Sequence, residues 1–286
     1  MRRCGVFAAL FAASTTLLAG ELTLKPETLK AWEDHEHAAI DAMQHRLHDG
    51  ASFLRIDHDP DRLARVRAGE IVAWQGCEAD PKQVPSGLIH DWMGAGFIPN
   101  ARIVDVLAVV RDYRRYKEIY KPGIVDTQLL KRVDNEDHFS IVMRNLNFFT
   151  KTALEAEFES TYTQLDESRW YSMTRATRLQ EIDNYGQPGE RKLLPDRGHG
   201  YIWRMTSLSQ MEERDGGVYV EEEVMALSRD VPGAVRWMAG PIIRRVAKES
   251  TAESIGRTRA AVQSMPDVIS ASQKVCGRGA AVSCWR

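Results

Sequence analysis

Three charged side chains stand where the pattern of the chain puts apolar ones. Arg175 falls in phase with Tyr171 and Met173 along one alternating segment, and Glu221 and Glu223 fall in phase with Tyr219 and Met225 along another. Residues two apart on a strand share a face, so the alternation expects these charges to point inward with their apolar neighbours. A buried charge needs a partner. An arginine and two carboxylates brought together could orient the polar head of a ligand, or act on it as acid and base. The competing assignment leaves Glu221 to Glu223 as a solvated strand edge, and a single β-bulge would exchange the two faces.

Other constellations are sparse. The chain carries no G-x-S-x-G elbow, no H-E-x-x-H helix and no glycine-rich phosphate loop, so the spacings that announce nucleophilic, zinc-hydrolytic or nucleotide chemistry are missing. His90 and His199 fall near strand ends, where an imidazole could serve as a general base at neutral pH, although lone histidines there are more often structural. His37, Asp41, His45 and His48 share a helical face at a spacing that could hold a metal and equally describes a solvated face. Asp57, Asp59 and Asp61 alternate as in a calcium loop, but Arg62 stands where glycine is needed and Ala68 where the bidentate glutamate would be. No catalytic residue, metal or cofactor is assigned from the sequence. Cys4, Cys77, Cys276 and Cys284 show no zinc spacing. In an oxidising compartment Cys276 and Cys284 could close a small loop on the C-terminal tail, leaving Cys77 a buried or free thiol.

The elements that must position these residues follow from the rest of the chain. With 286 residues, 43% of them hydrophobic, there is enough to bury a sizeable core, and a formal charge of -2 gives no field favouring nucleic acid. Arg2 and Arg3 precede an apolar run from Gly5 to Ala19, the layout of a secretory signal peptide over residues 1–20 with cleavage near Ala19-Gly20, with an uncleaved N-terminal anchor as the alternative for a run this short. A secreted or periplasmic location follows as an expectation. Residues 24–48 read as a helix with Leu29, Trp32, Ala39, Ile40, Met43 and Leu47 on one face. A short strand at 69–75 and a linker at Ala79 to Ser86 complete an N-terminal extension, 21–86.

The main domain is expected at 87–264, with 265–286 as a tail. Strands are expected at Gly87 to Ile98, Ile124 to Val133, His138 to Phe148, Thr152 to Leu165, Arg169 to Ile182, Gly200 to Arg214 and Gly217 to Ser228, with a helix after Pro99-Asn100 that buries Ile103, Val106, Leu107, Val110, Tyr113 and Tyr120 and closes at Pro122-Gly123. In the Thr152 segment Leu154, Ala156, Phe158, Ser160 and Tyr162 alternate with Glu155, Glu157 and Glu159, which predicts a sheet with one wet face. A long amphipathic helix follows from Pro232 to Val262, its stripe resuming as Thr251, Ile255, Thr258 and Val262, with a break expected at Gly240-Pro241. A meander of that size cannot fill its concave side alone, so the last helix must close it. The expected fold is α+β, a helix-grip arrangement of a curved seven-stranded antiparallel sheet wrapped on the C-terminal helix, with an N-terminal helical extension.

This order, with the phrases Val109-Val110-Arg111-Asp112-Tyr113-Arg114-Arg115-Tyr116 and Leu227-Ser228-Arg229-Asp230-Val231-Pro232, resembles the START-like (SRPBCC) superfamily of lipid-transfer, polyketide-cyclase and pollen-allergen-type proteins. Gly87 to Pro99 also resembles a secreted bacterial branch of it. The resemblance covers about Gly87 to Val262. It implies a lipid or other hydrophobic small molecule held between sheet and last helix, often without catalysis, and allows transient membrane contact. For such a chamber the alternation nominates Leu154, Phe158, Tyr162, Tyr171, Met173, Arg175, Trp203, Met205, Glu221, Glu223 and Met225 from the strands and Met238 and Ile242 from the helix. Two other readings stand beside it: a cyclase- or hydrolase-type enzyme using Arg175 with Glu221 or Glu223, and an envelope interaction module with a filled core.

Overall fold

The computed structural model describes residues 22–48, 52–77, 79, 81–144, 152–230 and 233–265, the side chains of 48, 233–244, 246 and 247 excepted. The expected signal peptide, Cys4, Cys276 and Cys284 lie outside the described residues, and so do the side chains of His48, Met238 and Ile242. In chain order the elements are β1 (Leu22–Thr23), α1 (Pro26–His48), α2 (Pro60–Arg67), β2 (Val72–Gln75), β3 (Lys82–Val84), β4 (Gly87–Pro99), α3 (Ile103–Val110) and α4 (Tyr116–Ile119). There follow β5 (Ile124–Val133), β6 (Glu136–Arg144), β7 (Ala153–Gln164), β8 (Arg169–Asp183), β9 (Arg191–Lys192), β10 (Arg197–Gly198), β11 (Arg204–Arg214), β12 (Gly217–Arg229) and α5 (Gly233–Gln263).

Ten strands form one antiparallel sheet in the order β2-β4-β12-β11-β8-β7-β6-β5, with β3 also on β4 and β9 on β8. The seven long strands are those expected; β2, β3 and β9 raise the count to ten. Segments of two or three residues hold too few alternations to leave a period, which is why β3 read as linker and β9 as insertion, whereas β2 falls within the strand expected at 69–75. β2 and β3 both precede residue 87 and both pair with β4, so the sheet runs across the boundary drawn there. The β11–β12 hairpin turns at Asp215-Gly216, whose φ values of 55 and 76 are both positive, the geometry a two-residue hairpin loop needs to match strand twist.

The helix α5 closes the concave side against β4. Gly94 and Gly96 make the approach possible: a Cβ on Gly94 would stand 2.7 Å from Thr251 Cγ2, and one on Gly96 2.7 Å from Ile255 Cγ2. The expected break at Gly240-Pro241 is not there; α5 is continuous through it. Proline's fixed φ is itself helical and its cost is local, a lost hydrogen bond and a crowded preceding turn, which a long helix seated on a sheet tolerates.

The opposite face is covered too. Trp32, Ala39 and Met43 of α1 pack with Ile89, Trp203, Leu208, Met225 and Leu227, while Phe53, Leu54, Ile56 and Val66 pack with Ala95 and Tyr219. The expected wet face therefore exists only over part of the sheet. On β7, Glu155, Glu157 and Glu159 keep partial exposure, with Lys192 on Glu155 and Arg178 on Glu157; on β4, β11 and β12 both faces are occupied. The Asp57/Asp59/Asp61 alternation is explained locally: Asp59 caps α2 by accepting from Arg62 N, and Asp57 pairs with Arg214.

Candidate functional site

Between the concave face and α5 lies a cavity of ≈ 260 Å³, close to the lower end of the roughly 300–1,000 Å³ typical of small-molecule sites. Strand register builds its floor. Two adjacent rows cross the sheet: Ser160–Thr174–Ser207–Val224–Trp92 and Tyr162–Ser172–Ser209–Glu222–Gly94. These rows carry hydroxyls and one carboxyl, and Ser160 Oγ and Thr174 Oγ1 lie 2.6 Å apart. To one side of them the lining is apolar, with Phe139, Ile141, Leu154, Phe158, Ile202, Met205 and Ala226; to the other stand Val106, Val110, Met211 and Val220. Helix α5 contributes Ser250, Thr251, Ser254, Ile255 and Thr258 as the roof.

Glu222 and His90 open onto this space, and Arg144 also lines it. Burial pushes the Glu222 carboxyl up to about 7, against a hydrogen bond from Ser254 that favours the charged form. Near neutral pH a substantial fraction of it is a protonated acid, able to donate as well as accept. Burial pushes His90 down to about 4, so its ring is neutral. His90 Nε2 is 3.0 Å from Ser228 Oγ, and its Nδ1 is buried with no hydrogen-bond partner among the described residues. Tyrosines complete the wall: Tyr120 meets Thr258 at 2.9 Å, and Tyr162 meets Tyr113 at 3.0 Å. Tyr113 donates in turn to Asp137, a fully buried carboxylate that also accepts from Arg111 and Arg132.

The structure sorts the nominated residues into two groups. Leu154, Phe158, Tyr162 and Met205 line the cavity. Tyr171, Met173, Arg175, Trp203, Glu221, Glu223 and Met225 do not; they occupy the other face, beneath the N-terminal extension. Arg175 donates to Glu36 of α1 at 2.9 Å. Glu221 accepts from the backbone N–H groups of Arg55 and Ile56 at 3.0 and 2.9 Å, capping the short helical turn Arg55–His58. Glu223 meets Arg55 at 3.2 Å; burial pushes its carboxyl up while Arg55 pulls it down. The expected interior set of Arg175 with Glu221 or Glu223 is therefore not assembled, and an enzyme reading built on it falls. The reason is that β8, β11 and β12 bury both faces, so large apolar side chains mark the extension-facing side as strongly as the cavity side. On β8 the phase also breaks, because Thr177 is an extra residue opposite Glu157 and Phe158.

Glu222 and the in-phase pairs Ser172/Thr174 and Ser207/Ser209 were missed. The small hydroxyl residues alternating with large apolar ones were the available signal. The helix stripe Thr251, Ile255 and Thr258 was legible and does face the cavity. Of the two histidines, His90 lies on it and His199 pairs with Asp183 at 2.9 Å. His37, Asp41 and His45 are exposed on the outer side of α1.

Fold and cavity together define the class: an α+β helix-grip protein with an internal chamber. No family model and no curated protein matches the chain. Among solved structures it is similar to a STAR-related lipid transfer protein fragment from Xanthomonas axonopodis, at 16% identity over 64% of this chain and 96% of that one, with a TM-score of 0.45. It is also similar to human STARD10, at 11% identity over 80% and 87% of the two chains with a TM-score of 0.46. An aromatase/cyclase from Streptomyces sp. R1128 is similar at 8% identity over 61% and 94%, with a TM-score of 0.42. At such identities the likeness concerns the arrangement of sheet and helix, and what this cavity accepts has to be read from its own lining.

Proposed function

We propose that the protein binds, and so can carry, a hydrophobic small molecule that bears a hydrogen-bonding group, held in the cavity beneath α5. The observation that carries this is the cavity itself, apolar on both sides of a band of hydroxyls and one carboxyl that burial keeps partly protonated near neutral pH. Apolar burial supplies the affinity: about 25 cal/mol per Å², or roughly 5 kcal/mol gross for about 200 Å² of ligand surface. The band supplies selection, because buried donors and acceptors left unmatched cost about 1–3 kcal/mol each. A filled core does not describe this interior, and the apolar stripe of α1 is spent on the sheet rather than exposed.

The test is native mass spectrometry of the purified full chain, followed by solvent extraction. A reproducible adduct, released on extraction and regained from a lipid mixture, is expected; a chain that is empty as purified and takes up nothing overturns the proposal. A second reading has its own observation: a carboxyl titrating near 7 inside a substrate-sized space is suited to acid/base chemistry. It differs in one readout, since an enzyme would return the extracted molecule altered. Export is also part of the proposal, resting on residues 1–20. Recovery of the chain from the periplasm or medium beginning near Glu21 is expected, and intact chain confined to the cytosol contradicts it.

A further inference from the structure

Three donor atoms of different chemistry converge on the side of the sheet away from the cavity. His35 comes from α1, Cys77 from the turn after β2 and Asp91 from β4, and one donor atom of each lies within 4.8 Å of the other two. The cluster is set into the protein: the side chains of His35 and Asp91 are only 9% and 2% exposed, with Nε2 and Oδ2 3.0 Å apart. The backbone is shaped to make it. Gly76 N donates to Asp91 O at 2.9 Å, and a Cβ at Gly76 would stand 1.9 Å from Asp91 Oδ1, so only glycine lets the turn bring Cys77 down onto the carboxylate.

We propose that His35, Cys77 and Asp91 form a binding site for a zinc-type divalent metal, with water as the fourth ligand, and that the bound ion fastens the N-terminal extension to the sheet. The donor set selects the class of metal. One thiolate, one imidazole and one carboxylate suit a borderline cation such as Zn²⁺, whereas calcium and magnesium take oxygen ligands. Ligands about 2.0–2.3 Å from a tetrahedral ion stand roughly 3.3–3.8 Å from one another, so the cluster closes by about 1 Å at its widest on loading. A nucleophilic cysteine triad is the competing use of these residue types. That would place the second ring nitrogen of the histidine on the thiol, whereas His35 Nδ1 lies 3.4 Å from Lys82 Nζ. On binding, the Cys77 thiol proton leaves to solvent, and the remaining imidazole proton sits on Nδ1. Lys82 is exposed and turns to water.

The probe is Co²⁺ added to the full chain after chelator treatment and dialysis with reductant. One Co²⁺ per chain is expected, with a near-ultraviolet thiolate-to-cobalt absorption that Zn²⁺ abolishes by displacement. Cys77→Ser should lack that band, and His35→Ala and Asp91→Asn should weaken binding by at least about tenfold. Zn²⁺ should raise the Tm of the wild type and not that of Cys77→Ser. Independently of any variant, Zn²⁺ should protect Cys77 of the wild type from alkylation, read by peptide mapping. No thiolate–cobalt band at saturating Co²⁺, a band that survives Cys77→Ser, or Cys77 recovered in a disulfide would each overturn the proposal.

Discussion

Glutamine at position 222 would keep the shape of the side chain and remove its charge, which makes Glu222→Gln the sharpest probe of the chamber. The folded carboxyl titrates at about 7, against 4.5 for the free group. Between those values the folded chain keeps the proton while the unfolded chain has lost it. The unfolded state therefore binds fewer protons, and stability falls as pH rises across the window, levelling off above about 7. The gap from 4.5 to 7 is 2.5 units, and at about 1.4 kcal/mol per unit it amounts to roughly 3 kcal/mol, an upper figure for a group touching a cavity that admits water. The variant has no such slope. Ligand-stripped wild type and Glu222→Gln should thus be nearly equal near pH 4.5, and by pH 8 the variant should lead by about 2–3 kcal/mol. Urea denaturation at steps of pH measures this directly. Glu223, on the other face, titrates alike in both proteins and cancels in the difference. Two parallel stability curves from pH 4.5 to 8 would mean that Glu222 is charged and well hydrated, and the argument for a desolvated, selective carboxyl would fail.

Further outcomes follow from the same geometry. Gly94→Ala drives a methyl against Thr251 and Ile255 and should cost about 1–3 kcal/mol in thermal or urea unfolding. Ala226→Phe, on the cavity floor, should cut ligand recovery by more than about tenfold while the far-ultraviolet spectrum holds. Glu221→Gln should leave ligand recovery unchanged and loosen the Arg55–His58 turn by about 1–3 kcal/mol, read as faster proteolysis of the extension; a matching loss of ligand would contradict the two-face assignment. Asp137→Asn strips Arg111 and Arg132 of their common carboxylate and should cost about 3 kcal/mol, the low end for a buried pair because both guanidiniums reach solvent.

Strand order was readable because long strands and tight turns leave strong local signals: the Asp215-Gly216 turn, the alternation through Leu154 to Tyr162, the stripe of Thr251, Ile255 and Thr258. Facing was not readable in the centre of the sheet. On β7 the outer residues are glutamates, so Leu154, Phe158 and Tyr162 had one plausible side. On β8, β11 and β12 the extension supplies a second apolar layer, and Met173, Trp203 and Met225 are as buried by α1 as a cavity residue would be by its ligand. Periodicity reports burial, not what does the burying. The His35–Cys77–Asp91 cluster was hidden for another reason: its members meet only through the docking of α1 and the β2–β4 pairing, and no local spacing records that.

The run Glu221-Glu222-Glu223 has a consequence for how the sheet finds its alignment. Its outer two carboxylates serve the extension and the middle one faces the chamber. Three identical side chains in a row carry little information about which is which, and a slip of one residue would exchange their faces while still leaving an acid at two of the three positions. The alignment must be written elsewhere. It is written at the end of the hairpin, where Asp215-Gly216 fixes Arg214 opposite Gly217 and counts the eleven cross-strand pairs back to Arg204 and Leu227, and on the neighbouring strand, where Gly94 alone leaves room for the helix opposite Glu222. A turn dipeptide and a missing side chain thus decide which of three equal acids faces the cavity.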